Sequence, residues 1–115
     1  MHPLIEKHLP EIQTLCKKHA VERLYLFGSY ATGQAKADSD VDFLVSFREM
    51  SGKNVVDQFF DFKFSLEKGI GKEIDLLTEL QLKNPFLIES VKKNRILIFE
   101  SSKRDHALME VNSPL

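Results

Sequence analysis

The chain of 115 residues has one cysteine, a net charge of only −1, and no apolar run near the roughly 20 residues that a membrane-crossing helix needs. Cys16 has no second cysteine with which to form an internal disulfide. His2, His8, His19 and His106 stand without the paired cysteines of a zinc motif. With 16 Lys and Arg against 17 Asp and Glu, the balance argues against the basic surface of a general nucleic-acid binder. The Met-His-Pro start, with Glu6 close behind, does not have the form of a signal peptide, and no internal repeat or low-complexity block is visible. These absences lead to the expectation of a cytoplasmic domain without a membrane partner and without direct nucleic-acid binding. What is present is 43% hydrophobic residues, including nine Phe, enough for a core that needs no disulfide or structural metal.

Apolar residues at Ile5, Leu9, Ile12 and Cys16 recur with helical spacing, and Lys17, Lys18 and His19 suit a helix C-terminus, so residues 3–19 read as an amphipathic helix. Pro10 interrupts this pattern: either the helix proper begins there or two short pieces meet there. Residues 23–27 form a buried strand that ends at Gly28, and small, turn-forming residues lead as a loop or short helix to a second strand over 41–47. Asn54 caps a helix that runs to Glu67 or Lys68, with Val56, Phe59, Phe60, Phe62 and Leu66 expected on its core face and Gly69 at its end. A third strand over 73–78, a helix from Asn84-Pro85 through Val91 and a fourth strand over 95–99 complete the alternation. The expected fold class is α/β (α+β): one domain over residues 1–99, with a short mixed sheet of about four strands flanked by helices. Residues 100–115 turn polar, and their Ala107-Leu108-Met109 patch suits a short helix or a frayed terminus.

Asp40 and Asp42 open the second strand, and the two-residue period of a strand puts both on one face about 6.6 Å apart, opposite Val41, Phe43 and Val45. Carboxylates so placed repel one another unless a cation lies between them. Oxygen donors without His or Cys suit Mg²⁺, and two such ions about 3.5–4 Å apart can clamp the attacking and leaving oxygens of a phosphoryl transfer. Asp75 sits between Ile74 and Leu76-Leu77, where an unpaired carboxylate would cost on the order of several kcal/mol. If the third strand lies beside the second, Asp75 joins Asp40 and Asp42 in a metal-ligating cluster and can accept the proton of an acceptor hydroxyl. The plainer alternative is a strand-edge Asp that faces water or pairs with a lysine such as Lys72. Gly28-Ser29 can bring backbone N–H groups and a hydroxyl close to a triphosphate with no Cβ in the way, although turn geometry alone also accounts for the dipeptide.

Taken together, Gly28-Ser29, ten intervening residues and Asp40-Val41-Asp42 resemble the signature of the DNA-polymerase-β-like nucleotidyltransferase superfamily. With five Gly, nine Ser and seven Asp in the chain, a random order produces this pattern in about one chain in 10³. Within the superfamily, residues 24–45 are similar to the minimal nucleotidyltransferases. So are the Ile-Asp-Leu-Leu-Thr segment around Asp75 and the stretch from Asn84-Pro85 to the Ile-Leu-Ile-Phe of the last strand. The likeness covers about residues 10–99 and implies transfer of AMP from ATP to an acceptor hydroxyl. It further implies Asp40 and Asp42 on two Mg²⁺ ions, Asp75 on one of them, and Gly28, Ser29, Ser39 and Lys36 as nucleotide contacts. Many relatives carry an Arg where this chain has Thr32, and Lys36 is the residue expected to supply a replacement charge.

A chain of this length has no room for an appended substrate domain, so the acceptor is expected to come from elsewhere. The resemblance implies a partner: a HEPN-domain RNase toxin encoded beside the protein, bound as a possible hetero-oligomer and modified on a tyrosine, which makes this chain its antitoxin. The other expectation is a binding module that neutralises the partner by steric cover, with transfer slow or silent. Transfer to a small molecule is less favoured, because no second domain encloses such a ligand.

Overall fold

The computed structural model describes residues 1–49, Gly52 and residues 54–101. Helix α1 spans Pro3–Lys18, strand β1 Val21–Phe27, the short helix α2 Ser29–Thr32 and strand β2 Val41–Phe47. Helix α3 follows over Val55–Ile70, then strand β3 over Ile74–Thr78, a 3₁₀ turn over Glu79–Gln81, helix α4 over Pro85–Asn94 and strand β4 over Ile96–Glu100. The sheet order is β3-β2-β1-β4, with β2 and β3 parallel and both other pairs antiparallel. This is the mixed four-stranded sheet flanked by helices that the alternation of elements predicts. Of the expected polar tail, residues 102–115 lie outside the described residues. Among the described residues, no helix is long and apolar enough to cross a membrane.

Alternation along each strand builds two unequal layers. Leu24, Leu26, Val41, Phe43, Val45, Ile74 and Leu76 point to one face, where Ile5, Ile12 and Cys16 of α1 and Phe62 and Leu66 of α3 close the main core. Burial drives the Cys16 thiol up to about 12, leaving it a packing group rather than a reactive one. On the opposite face, Phe27 and Leu44 are covered by Leu82 and Val91, a small cluster that accounts for the position of α4. That cover stops short of the strand ends where Asp42 and Asp75 sit.

Two expectations are corrected by the packing. Helix α1 is continuous through Pro10, with Pro3 in its first turn and the His2 Nδ1 accepting the Leu4 N–H at 3.1 Å. An interior proline costs about 3 kcal/mol, but Ile5 and Ile12 flank it one above the other and are fully buried, so core packing outweighs the lost backbone bond. In α3 the core face runs through Gln58, Phe62, Leu66 and Ile70. Val56 and Phe60, expected inside, are 59% and 44% exposed, because they lie about 200° around the helix from Phe62 or its equivalents one turn away. Asn54 caps the helix as expected, but it ends one turn-closing glycine later, at Gly71 with φ +77°.

Candidate active site

Strand β1 delivers the chain to Gly28, whose φ of +69° and ψ of −152° form a backbone conformation essentially reserved for glycine. The chain then makes one turn of helix, α2, and returns through residues 33–40 to β2. In the antiparallel register Phe27 faces Asp42, and in the parallel register Asp42 faces Asp75. A Cβ on Gly28 would collide with Oδ2 of Asp42 and lie 3.0 Å from its Cγ. Gly28 was expected to make room for a ligand; in the structure, the space beside it holds the Asp42 carboxylate. The backbone of the Gly-Ser turn and the strand carboxylate are thus packed against each other.

The loop between Gly33 and Asp40 is pinned from two sides. Ser39 Oγ accepts the Lys36 N–H at 2.8 Å, and the Ser39 N–H donates to the Lys36 carbonyl at 3.0 Å. Lys72, just ahead of β3, donates from Nζ to the carbonyls of Ala37 at 2.6 Å and Ser39 at 3.3 Å, and lies 5.7 Å from the centre of the Tyr30 ring. The Val41 N–H donates to the Glu73 carbonyl at 3.1 Å, which joins the start of β2 to the start of β3. Lys72 is therefore engaged with the loop that delivers Asp40, not paired with Asp75. No sequence pattern marks this role; the parallel pairing of the two strands creates it. Ser29 opens α2, Lys36 is exposed, and the Thr32 hydroxyl turns back to the Gly28 carbonyl at 3.3 Å.

The carboxylates divide their roles differently from expectation. Asp75 is exposed between buried Ile74 and Leu76, because β3 is an edge strand and, among the described residues, its open end is left uncovered. The burial penalty falls on half-buried Asp42 instead. Desolvation first, then the charge and a side-chain hydrogen bond of Asp75, then the charge of Asp40, push Asp42 from 3.8 up to about 6. Asp42 and Asp75 are the close pair, and Asp40 stands further off, on the segment leading into β2. Among the described residues no three His, Cys, Asp or Glu side chains are already at metal-ligand spacing. The donor set itself fits a hard divalent cation: oxygen ligands only, with the close pair at odds over its own negative charge.

This pair sets a pH dependence. Folded Asp42 keeps its proton to about pH 6 and the unfolded chain releases it near 3.8, so the native state binds more protons across that window. The resulting stability is fully present below pH 3.8 and is lost as the pH rises through about 6. In chelator, the melting temperature is expected to fall over this interval and Asp42→Asn to flatten the fall. Added Mg²⁺ is expected to raise the melting temperature above pH 6 much more than at pH 4.5. A profile that is identical for the two proteins would remove Asp42 from this role.

Comparison with known proteins bears on the whole sheet and both flanking layers. The family profile described as nucleotidyltransferase domain matches residues 5–98. The protein adenylyltransferase MntA of Thermococcus cleftensis is 34% identical over 84 residues, 66% of this chain and 82% of that protein. A solved structure described as a candidate minimal nucleotidyltransferase superposes with a TM-score of 0.67 at 32% identity, covering 84% of this chain and 95% of the other. An antitoxin of the MNT type, solved in complex with a tri-AMPylated HEPN toxin of Shewanella oneidensis, superposes with a TM-score of 0.58 over 89% of this chain and 77% of its own. At 16% identity, that likeness is one of fold.

Proposed function

We propose, because this chain belongs to the nucleotidyltransferase domain family, that it transfers AMP from ATP to a tyrosine hydroxyl of a HEPN-domain toxin and thereby acts in the cytoplasm as its antitoxin. The observation that carries this reading is the register of Asp42 against Asp75 at the strand end closed by Gly28-Ser29. The names of MntA and of the AMPylated HEPN complex supply the substrate class and the partner. In the reaction the acceptor oxygen bonds to the α-phosphorus of ATP, the bond from that phosphorus to the bridging oxygen breaks, and pyrophosphate leaves. Asp40, Asp42 and Asp75 would hold two Mg²⁺ ions, which neutralise charge on the triphosphate and lower the pKa of the attacking hydroxyl. Exposed Asp75 is open to the acceptor and takes up its proton. Gly28, Ser29 and Ser39 lie on the turn and loop that face the triphosphate, and Lys36 adds a point charge. Lys36→Ala is expected to weaken binding of a non-hydrolysable ATP analogue roughly fivefold, the scale of one exposed charge-assisted contact. Unchanged affinity in calorimetry would take Lys36 out of the site.

One observation favours a second reading. The Thr32 hydroxyl bonds back into its own helix turn and brings no charge to the triphosphate side, which suits a partner-binding protein with slow transfer. The double variant Asp40→Ala with Asp42→Ala separates the two. A transferase loses neutralisation of the toxin while the complex persists, whereas a steric antitoxin keeps both.

A further inference from the structure

On the face of the sheet that carries Asp42, a cavity of about 390 Å³ opens between the strands and α4, a size typical of small-ligand sites. Its floor is Leu44 and its walls are Leu82, Ile88 and Val91, while Lys92 and Arg95 stand at its rim. Strand pairing fixes where it lies. Along the β1–β2 ladder, Phe27 faces Asp42 and, two residues on, Tyr25 faces Leu44. The order down the sheet is therefore Gly28-Ser29, then the carboxylates, then the cavity, with Leu44 about 6.6 Å beyond Asp42. The Arg95 guanidinium lies 4.0 Å over the Tyr25 ring, which holds its planar donor face at the mouth of the cavity. Glu79, also on the rim, is outnumbered by these two cations.

Resting on the transferase reading above, the geometry points to this cavity as the acceptor subsite: it receives the aromatic side chain that is modified, with Lys92 and Arg95 pairing acidic residues beside it on the partner. In-line displacement puts the attacking oxygen opposite the leaving group. With pyrophosphate leaving toward Gly28-Ser29, the attack comes from the opposite side of the carboxylates, where the cavity is. An apolar slot suits an aromatic ring whose hydroxyl emerges at the polar end, and a cationic rim suits an acidic polypeptide. Adenine is the competing occupant, and the test distinguishes the two.

Two variants are used: Val91→Trp, which fills the cavity from a buried wall, and Lys92→Glu, which reverses charge at an exposed rim position and keeps the test independent of folding. Each is assayed for transfer to the partner protein and, by calorimetry, for binding of a non-hydrolysable ATP analogue with Mg²⁺. The expected result is a rise in KM for the partner of about tenfold or more, with nucleotide affinity within about twofold of the parent. Nucleotide affinity that falls with the cavity filled would place adenine there and overturn the proposal. So would a wild-type protein that transfers AMP and variants that match it in partner KM. A wild-type protein that binds the partner and ATP but transfers nothing defeats the transferase reading itself, and the acceptor subsite with it.

Discussion

Asp75→Asn is expected to lower AMP transfer by about 10³-fold while the folded chain survives and, without metal, becomes more stable at neutral pH. The rate loss follows from removing at one stroke a metal ligand and the proton acceptor nearest the incoming hydroxyl, roles that act as a unit and together are worth about 10³-fold. The gain in stability follows from the neighbour. Asp42 is held up at about 6 in part by the charge of Asp75 directly across the parallel ladder. An asparagine at that place removes the repulsion and can donate an N–H to the Asp42 carboxylate. A few degrees' rise in melting temperature, measured in chelator at pH 7.5, is the expected sign. Because Asp75 is exposed, no cavity or unsatisfied buried group follows from the change. A mutant that loses both activity and fold would contradict this division of labour.

Gly28→Ala is expected to reduce both stability and transfer, and more severely than any other single-methyl change in the loop. The backbone conformation alone costs on the order of 1–3 kcal/mol for a residue with a Cβ. The added carbon also runs into Asp42 Oδ2, so the carboxylate must swing away from the position its register gives it. Displacement of about 1 Å at a reacting centre costs about 10²-fold in rate. Gly33→Ala is the control: at φ +82° and ψ +12° it sits in the left-handed helical region, strained for a residue with a Cβ though less than Gly28, and no described atom lies within 4 Å of the added carbon. Gly33→Ala is therefore expected to lose stability with little change in kcat, while Gly28→Ala loses both. A loss of kcat in Gly33→Ala as large as in Gly28→Ala would mean that contact with Asp42 is not what Gly28 avoids.

Much of this arrangement was legible in the residues because local rules and the fold agree. Strand β2 begins and ends where alternation places it, Asn54 caps α3, and Asn84-Pro85 opens α4. The spacing of Gly28-Ser29 to Asp40 and Asp42 marks the strand–turn–strand unit that places the Gly-Ser turn against Asp42. What escaped was set by long-range packing. Pro10 is carried inside α1 by Ile5 and Ile12 in the core, which no window around Pro10 reveals. Val56 and Phe60, expected on the core face, lie on the outer face of α3, 59% and 44% exposed, because Phe62 and Leu66 already fill the contact with the sheet. Lys72 meets the loop ahead of Asp40 only because β3 pairs beside β2. For the same reason desolvation falls on Asp42 rather than on Asp75: apolar neighbours in sequence do not bury a side chain that points out of an edge strand's open end.

Intact-protein mass spectrometry of the HEPN-domain partner, after incubation with this protein, Mg²⁺ and each nucleoside triphosphate in turn, tests the central claim most directly. The account predicts a gain of whole AMP units with ATP, none with the protein carrying Asp75→Ala, and none in chelator. An unmodified partner held in a stable complex with the wild-type protein and ATP would contradict it.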